Sequence, residues 1–276
     1  TSPAWTWATS WWCAAAPERQ QPAKKLHSTS HYRDKHQPQL LPTIPGMGHI
    51  YLIRHGQASL GAEDYDQLSP LGQRQSERLG QYLRQRSDEL GLQWDAVLMG
   101  SLRRHRQTWE GIAQGAGWTT QHTPLVWPGL NEYDSEALLA ALPVTPGQTD
   151  PGSPEGYKRH FRLLRDALAM WMAGTISPHG MPSYTDFVAG ATAALAHIRQ
   201  HHGHGNVLVV SSGGPIATLV GHLLCTPPET TIELNLQIRN TALTELVGSP
   251  HRQRLVSFNT LPHLDSAEHR GWVTAA

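Results

Sequence analysis

Residues 49–56 read HIYLIRHG, a short run of apolar and β-branched residues that ends in Arg54, His55 and Gly56. A run of this kind, closed by glycine, is typical of a buried β-strand. A second run, NVLVVSSGGPI (206–216), passes from an apolar strand through a glycine turn into a helix. Both stretches therefore place polar residues where a strand ends, which is where α/β proteins bind their ligands.

The segments between and around these two runs alternate between strand and helix patterns. Apolar runs predict strands at 94–101, at 206–210 and, near the end of the chain, within 232–247 and at 254–259, with a short extended segment at 124–134. Helical spacing predicts helices at 69–86, 102–116, 160–172, 183–202 and 214–224, the first opened by Ser-Pro. This alternation predicts a three-layer α/β/α sandwich with a mostly parallel central sheet. Residues 135–182, which hold several prolines and glycines, are predicted to form a helical insertion near the active site that shapes the substrate pocket.

The first 46 residues differ in composition from the rest of the chain. They contain four of the ten tryptophans and a polar stretch interrupted by prolines. We predict that 1–46 form a disordered N-terminal leader and that 47–276 form the folded domain, with Met47 a plausible natural start. A secretory signal is the weaker alternative because no Lys or Arg precedes the apolar residues. A lipid anchor at Cys13 is weaker still, because tryptophans occupy the preceding positions.

Composition excludes several classes of partner. Lys and Arg together number 22, as do Asp and Glu, so the formal net charge is zero. A neutral chain is not attracted in bulk to nucleic acid or to an anionic membrane, and no apolar run approaches the length of a membrane helix. The two cysteines, Cys13 and Cys225, lie far apart and indicate no disulfide framework. A reducing, cytoplasmic location fits this pattern.

Polar residues at the predicted strand ends suggest a site for an anion. They are Arg54 and His55 after the first strand, Ser101, Arg103, Arg104 and His105 after the second, Glu132 in the extended segment, and Ser211, Ser212, Gly213 and Gly214 after the last. The planar fork of an arginine matches phosphate oxygens, and the backbone N–H groups of the glycine turn open a helix, where anions bind. A phosphoryl group is the most natural ligand.

Each of these signals is weak when it is taken alone. An Arg-His-Gly tripeptide occurs by chance, and Glu132 could be an ordinary carboxylate at a helix N-terminus. HIRQHHGHG (197–205) places His197 and His201 on one helix face, but no carboxylate or cysteine accompanies them. A solvated helix end explains them better than a metal site, so neither a metal nor another cofactor is predicted.

The order of the segments makes the pattern specific. The chain from Met47 to about Leu264 resembles the histidine phosphatase superfamily, which has the phosphoglycerate-mutase-like fold. The resemblance rests on the strand that ends in Arg-His-Gly and on four later segments, which are LRRHRQT (102–108), GLNEYD (129–134), VVSSGGPI (209–216) and IRNTALTEL (238–246).

The resemblance implies roles for individual residues. His55 is the expected nucleophile and forms a phosphohistidine that water then hydrolyses. Arg54 and Arg104 are expected to hold the phosphoryl oxygens. Glu132 is expected to protonate the leaving oxygen and then to activate water. No metal is required.

Ser212 departs from the family pattern, which has a second histidine at this position. Loss of one preorganised donor costs about 100- to 1000-fold in turnover. Three interpretations remain open. Ser212, the Gly213 N–H and a water could share the role in a slower enzyme, His105 could compensate from the neighbouring helix, or the protein could be a catalytically impaired phospho-ligand binder. Because the nucleophile, arginines and acid are present, the competent enzyme is favoured.

The predicted function is therefore hydrolysis of a small phosphorylated substrate by a metal-independent histidine phosphatase. Gly61 is a second departure, since many family members have asparagine there. A phosphoglycerate-mutase-type phosphotransferase is the alternative enzyme, disfavoured because the long segment of glycolytic mutases around Arg-His-Gly is absent. Possible substrate contacts in and next to the insertion are Tyr133, Tyr157, Arg159 and His160. Neither the substrate nor the oligomeric state follows from the sequence.

Overall fold

The structure is a computed structural model that describes residues 47–59, 66–119, 121–143, 153–249 and 252–275. The predicted leader and Gly61 lie outside the described residues, as does part of the predicted insertion, 144–152. The strands are β1 (Gly48–Arg54), β2 (Ala96–Met99), β3 (Leu125–Val126), β4 (Asn206–Ser211), β5 (Leu243–Ser249) and β6 (Arg252–Thr260). The α-helices are α1 (Pro70–Leu90), α2 (Arg103–Ala116), α3 (Ser135–Ala140), α4 (Pro154–Met172), α5 (Tyr184–His202), α6 (Gly213–Leu224) and α7 (Pro228–Gln237).

The strands form one sheet in the order β3-β2-β4-β1-β5-β6. β3, β2, β4 and β1 run parallel, whereas β5 and β6 are antiparallel to their neighbours. The mostly parallel sheet predicted from the sequence is thus confirmed. In the register of β1 and β4, Arg54 pairs with Ser211, so both strands end at the same edge of the sheet.

Helices cover both faces of the sheet and complete the predicted three layers. Alternate residues of β1 point to opposite faces, as the period of a strand requires. Ile50 and Leu52 belong to a core cluster shared with α5 and α6. Tyr51 and Ile53 belong to a second cluster shared with α1 and α2. Because both faces are buried, β1 and β4 are continuously apolar, which explains why the sequence pattern identified them.

A third apolar cluster packs the segment predicted to be an insertion against later helices. It joins α3 and α4 to the first turn of α5 and to α7, with Trp171 fully buried at its centre. The aromatic rings of Tyr133 and Phe187 lie 6.0 and 5.2 Å from that of Trp171. The helical character predicted for this segment is therefore seen in its described part.

One prediction about the end of the chain is wrong. The sequence IELNLQ (232–237) alternates apolar and polar residues, which predicts a strand, but it forms the second half of α7. The helix begins at Pro228, a favourable first position, and carries Glu229 in its first turn. Thr231 and Ile232 are buried, and Ile232 belongs to the third cluster. A short alternating run has too few residues to distinguish the two periods, so tertiary packing decided the outcome.

Candidate active site

The end of β1 carries two adjacent buried residues, Arg54 and His55. Their exposed fractions are 7% and 4%. The Arg54 guanidinium donates through Nη1 to the carbonyl of Ile238. The next residue, Gly56, passes so close to α1 that a Cβ there would lie 2.5 Å from the Gly72 carbonyl oxygen. The strand end is therefore tightly constrained by its neighbours, which fixes the direction of the His55 side chain.

The His55 ring is oriented for attack through Nε2. Its Nδ1 lies 2.7 Å from the carbonyl oxygen of Gly56, which can only accept a hydrogen bond, so Nδ1 carries the proton. Burial lowers the pKa of His55 well below 6.5, and the charges of Arg54 and Arg104 lower it further, with a contribution from His105. The ring is consequently neutral, with a lone pair on Nε2, as a nucleophile requires.

The backbone of the nucleophile is held from two sides. The side-chain amide of Asn240 donates to the His55 carbonyl at 3.2 Å, and the Thr274 hydroxyl donates to Asn240 Oδ1 at 2.9 Å. On the other side, the Gly56 N–H donates to Thr108 Oγ1 at 3.0 Å. Residues near the C-terminus and in α2 therefore fix the position of His55.

Arg104, in the first turn of α2, is placed by an aspartate that the sequence patterns did not single out. Asp66 Oδ1 accepts from Arg104 Nη1 at 2.8 Å, and Asp66 Oδ2 accepts from the Arg103 N–H at 2.8 Å. The N-cap residue Leu102 makes no side-chain cap, so Asp66 caps this helix from a distant loop. One carboxylate thus anchors both the helix and the guanidinium.

Glu132 lies against the first turn of α6. The Gly214 N–H donates to both of its carboxylate oxygens, at 3.0 and 3.2 Å, and the Tyr133 N–H donates to Oε1 at 3.3 Å. Burial of the carboxyl group raises the pKa of Glu132, against the lowering effects of Arg104, the Gly214 N–H and Arg54. Glu132 is therefore easier to protonate than an exposed glutamate, a property suited to a general acid.

The loop that carries Glu132 is tied to the loop after β2. Asn131 Oδ1 accepts from the Ser101 N–H and Asn131 Nδ2 donates to the Ser101 hydroxyl, both at 2.7 Å. The Ser211 hydroxyl donates to the carbonyl of Leu130 at 2.7 Å. Because these hydrogen bonds join the loops at neighbouring strand ends, they hold Glu132 in a fixed position relative to His55.

His105 and Ser212 are both fully buried and hydrogen-bonded to each other, with 2.7 Å between His105 Nε2 and Ser212 Oγ. The centroid of the His105 ring is 5.9 Å from that of His55. Burial lowers the pKa of His105 to about 3, with Arg104 contributing in the same direction. Although successive helical side chains diverge, Arg104 and His105 both lower the pKa of His55.

The helix N-terminus after β4 differs in one respect from the sequence-based expectation. Both glycine N–H groups were expected to point at an anionic ligand, but that of Gly214 binds the Glu132 carboxylate. A Cβ at Gly214 would lie 2.2 Å from Glu132 Oε1, so this contact requires glycine. The Gly213 N–H is left as the backbone candidate for a phosphoryl oxygen.

A narrow, mostly apolar cleft lies in the third cluster, beside the Gly214 turn. Its lining includes Tyr133, Gly214, Leu168 and Trp171, and Asn235 Nδ2 donates to the Tyr133 hydroxyl beside it at 2.8 Å. Of the four residues suggested as substrate contacts, Tyr133 lines the cleft, while Tyr157, Arg159 and His160 do not.

Two kinds of feature are absent from the described residues. These residues contain no group of three or more His, Cys, Asp or Glu side chains arranged to hold a metal ion. None of the helices described is long and apolar enough to cross a membrane.

The family model for the histidine phosphatase superfamily (branch 1) matches residues 50–261. The chain belongs to the histidine phosphatase superfamily. The match runs from β1 through the residue that follows β6, so it includes every candidate site residue. No curated protein matches the chain significantly.

Solved structures of histidine phosphatase fold confirm the architecture. A phosphoglycerate mutase from Bacillus anthracis is 18% identical, with a TM-score of 0.54, and the match covers 79% of this chain and 96% of that one. A phosphoserine phosphatase from Entamoeba histolytica is 22% identical, with a TM-score of 0.53 and coverages of 79% and 99%. A mycobacterial glucosyl-3-phosphoglycerate phosphatase is 22% identical, with a TM-score of 0.51 and coverages of 77% and 98%. At these identities the likeness concerns the fold alone.

Proposed function

We propose that this histidine phosphatase superfamily member hydrolyses a small phosphorylated substrate through a phosphohistidine at His55. The observation that carries the proposal is the state of the His55 ring, whose Nδ1 proton is held by the Gly56 carbonyl and whose charged form is disfavoured first by burial and then by two arginines. Family membership supports a phosphatase activity in general.

In the first step, His55 Nε2 attacks phosphorus, and the bond from phosphorus to the substrate oxygen breaks. Glu132 gives its proton to that departing oxygen. Arg54 and Arg104 offset the negative charge on the phosphoryl oxygens. Their electrostatic influence reaches both His55 and Glu132, which supports a single phosphoryl position between these residues.

In the second step, water attacks phosphorus and the bond to Nε2 breaks. Glu132, now ionised, takes a proton from that water. Inorganic phosphate leaves, and Glu132 is again protonated for the next turnover. The two arginine charges supply the electrostatic stabilisation without a metal ion, in keeping with a metal-independent enzyme.

The apolar cleft supports a role for the insertion in substrate choice. Leu168 and Trp171 of α4 line it together with Tyr133, directly beside the Gly214 and Glu132 contact. A leaving group protonated by Glu132 would lie at this end of the site. The exposed Cys225 thiol is compatible with the reducing, cytoplasmic setting expected for such an enzyme.

Rapid mixing with a phosphate-labelled aryl phosphate tests the proposal. We expect labelled protein that is labile in acid and stable in alkali, as a phosphoramidate is, and release of phosphate at the matching rate. His55→Ala should remove both signals, while the exposed His179→Ala should keep them.

The competing functions predict different results in this assay and in the same assay with phosphoglycerate as the substrate. A phospho-ligand binder would bind inorganic phosphate without labelling or turnover. A mutase would form the labelled protein but return the phosphoryl group to a second position of phosphoglycerate rather than to water. Either result would replace the hydrolase proposal.

A further inference from the structure

The hydroxyl of Ser212 does not serve the helix that it begins. Ser212 is the N-cap residue of α6, a position where serine normally accepts from an N–H in the first turn. It makes no such bond, because the Gly214 N–H is taken by Glu132 and Pro215 has no N–H. Its Oγ instead meets His105 Nε2 at 2.7 Å. The contact of Ser212 with the imidazole therefore needs an explanation other than capping.

His105 is also an unusual residue for a packed interior. Its exposed fraction is zero, and its Nδ1 makes no hydrogen bond of ordinary geometry, although the Gly100 backbone lies close enough to affect its pKa. A buried polar atom without a good partner destabilises the fold. An apolar residue would fill the space without that cost, so packing alone does not account for this histidine.

We propose that Ser212 and His105 form a two-residue donor relay to the phosphoryl group, in which the Ser212 hydroxyl donates to a phosphoryl oxygen and the His105 imidazole positions that hydroxyl. The relay rests on the proposed phosphoryl transfer at His55. It assigns Ser212 a catalytic role and His105 a positioning role from the neighbouring helix.

The geometry of the site agrees with this assignment. The His105 ring lies 5.9 Å from the His55 ring, between centroids, and Ser212 immediately precedes Gly213 at the start of α6. Ser212 is fully buried, but His55, Arg54 and Arg104 are each no more than 8% exposed. The burial of Ser212 therefore does not set it apart from the groups proposed to attack and to hold the phosphoryl group.

The hydrogen-bond directions required by the relay are consistent with the charges around it. For the Ser212 hydrogen to face the phosphoryl group, Oγ must accept from His105 Nε2–H. In the unliganded site burial and the charge of Arg104 hold the pKa of His105 low. The negative charge of a phosphoryl group at His55 raises that pKa and so favours the protonated His105 ring when substrate is bound. That ring can present Nδ1–H towards the Gly100 carbonyl and Nε2–H towards Ser212 at the same time.

A double-mutant cycle separates the relay from simple packing. Ser212→Ala and His105→Leu should each lower kcat by about 100-fold, the scale of one preorganised donor. The double variant should be at most about threefold slower than either single variant, because both changes remove the same donor. His105→Gln, whose amide nitrogen can reach the Nε2 position, should recover a measurable part of the loss. Independent, multiplicative effects without rescue by glutamine would overturn the relay.

Moving the imidazole from position 105 to position 212 gives a second prediction. Ser212→His alone should lower turnover, because His105 already occupies the adjoining space. Combined with His105→Ala, which opens that space, it should raise kcat above that of His105→Ala alone. Equal activity of those two variants would contradict the proposal. Thermal unfolding of each variant identifies any that fail to fold.

Binding of orthovanadate distinguishes failure of the relay from failure of the proposed function. We expect wild type to bind orthovanadate, and Ser212→Ala and His105→Leu to bind it at least tenfold more weakly, whether or not the enzyme turns over. Normal vanadate affinity in both folded variants would overturn the relay. Tight binding without phosphate release in wild type would instead reject the hydrolase.

Discussion

Asp66 Oδ1 lies 2.8 Å from Arg104 Nη1, and the other oxygen of the same carboxylate accepts from the Arg103 N–H at the start of α2. A single residue, 38 positions earlier in the chain, thus directs the guanidinium that is proposed to hold the phosphoryl group. Arg104 in turn influences the pKa values of His55, His105 and Glu132. The position of one arginine therefore affects the proposed nucleophile, the proposed acid and the imidazole proposed to position Ser212.

Asp66→Ala should raise KM for an aryl phosphate by about tenfold, because Arg104 loses a charge-assisted hydrogen bond that orients it. Steady-state kinetics measure the change. Asp88→Ala is the matched control, since it removes a solvent-exposed ion pair with Arg84 on α1. Equal effects of the two substitutions would show that Asp66 does not orient the arginine.

Glu132→Gln should slow hydrolysis of an alkyl phosphate by about 100-fold or more, while hydrolysis of p-nitrophenyl phosphate should slow much less. An alkoxide needs a proton in order to leave, and the nitrophenolate needs little help. Glu136→Gln, which changes an exposed residue of α3, should leave both rates unchanged. A loss that is the same for both substrates would mean that Glu132 is not the acid for the first step.

The pKa of His55 should lie well below 6.5 in the folded protein and should rise in Arg104→Gln, because that variant removes a positive charge that lowers it. Nitrogen NMR of the labelled imidazole, followed as pH is varied, measures both values. Because the nucleophile must be neutral, activity should persist below pH 6.5. It should fall only when the pH approaches the lowered pKa of His55 and the ring becomes protonated. The exposed Arg84→Gln should not shift this pKa. An ordinary histidine pKa in wild type would remove the electrostatic basis of the proposed mechanism.

Gly214→Ala should lower kcat by at least about tenfold, because its new Cβ would meet Glu132 Oε1 at 2.2 Å and the Tyr133 ring at 2.6 Å. The acid must move to relieve these contacts. Gly271→Ala is the control, since a Cβ there meets no atom within 4 Å. Kinetic measurements on both variants, with thermal unfolding as a check on folding, decide the matter. Full activity in a folded Gly214→Ala protein would show that Glu132 need not stay where it is.

Much of this protein follows from its sequence because continuous apolar strands and helical periodicity are local properties. They predicted β1, β4 and most helices, and the order of the motifs indicated the family before any contact was known. The strand assigned to IELNLQ was wrong because a six-residue alternating run fits either structure until Ile232 packs into the third cluster. The sequence also marked His55, Arg104 and Glu132, since each lies in a recognisable segment near a strand end.

Only the tertiary structure decided which side chains meet across long separations. Asp66 lies in no motif, and its role depends on a loop reaching α2. Neither the hydrogen bond between His105 and Ser212 nor that between Gly214 and Glu132 could be read from spacing, because their partners are 107 and 82 residues apart. The sequence determines the strands and the reactive groups at their ends. Packing of helices onto the sheet determines which group orients, protonates or restrains another, because these contacts depend on distances between elements that local patterns do not encode.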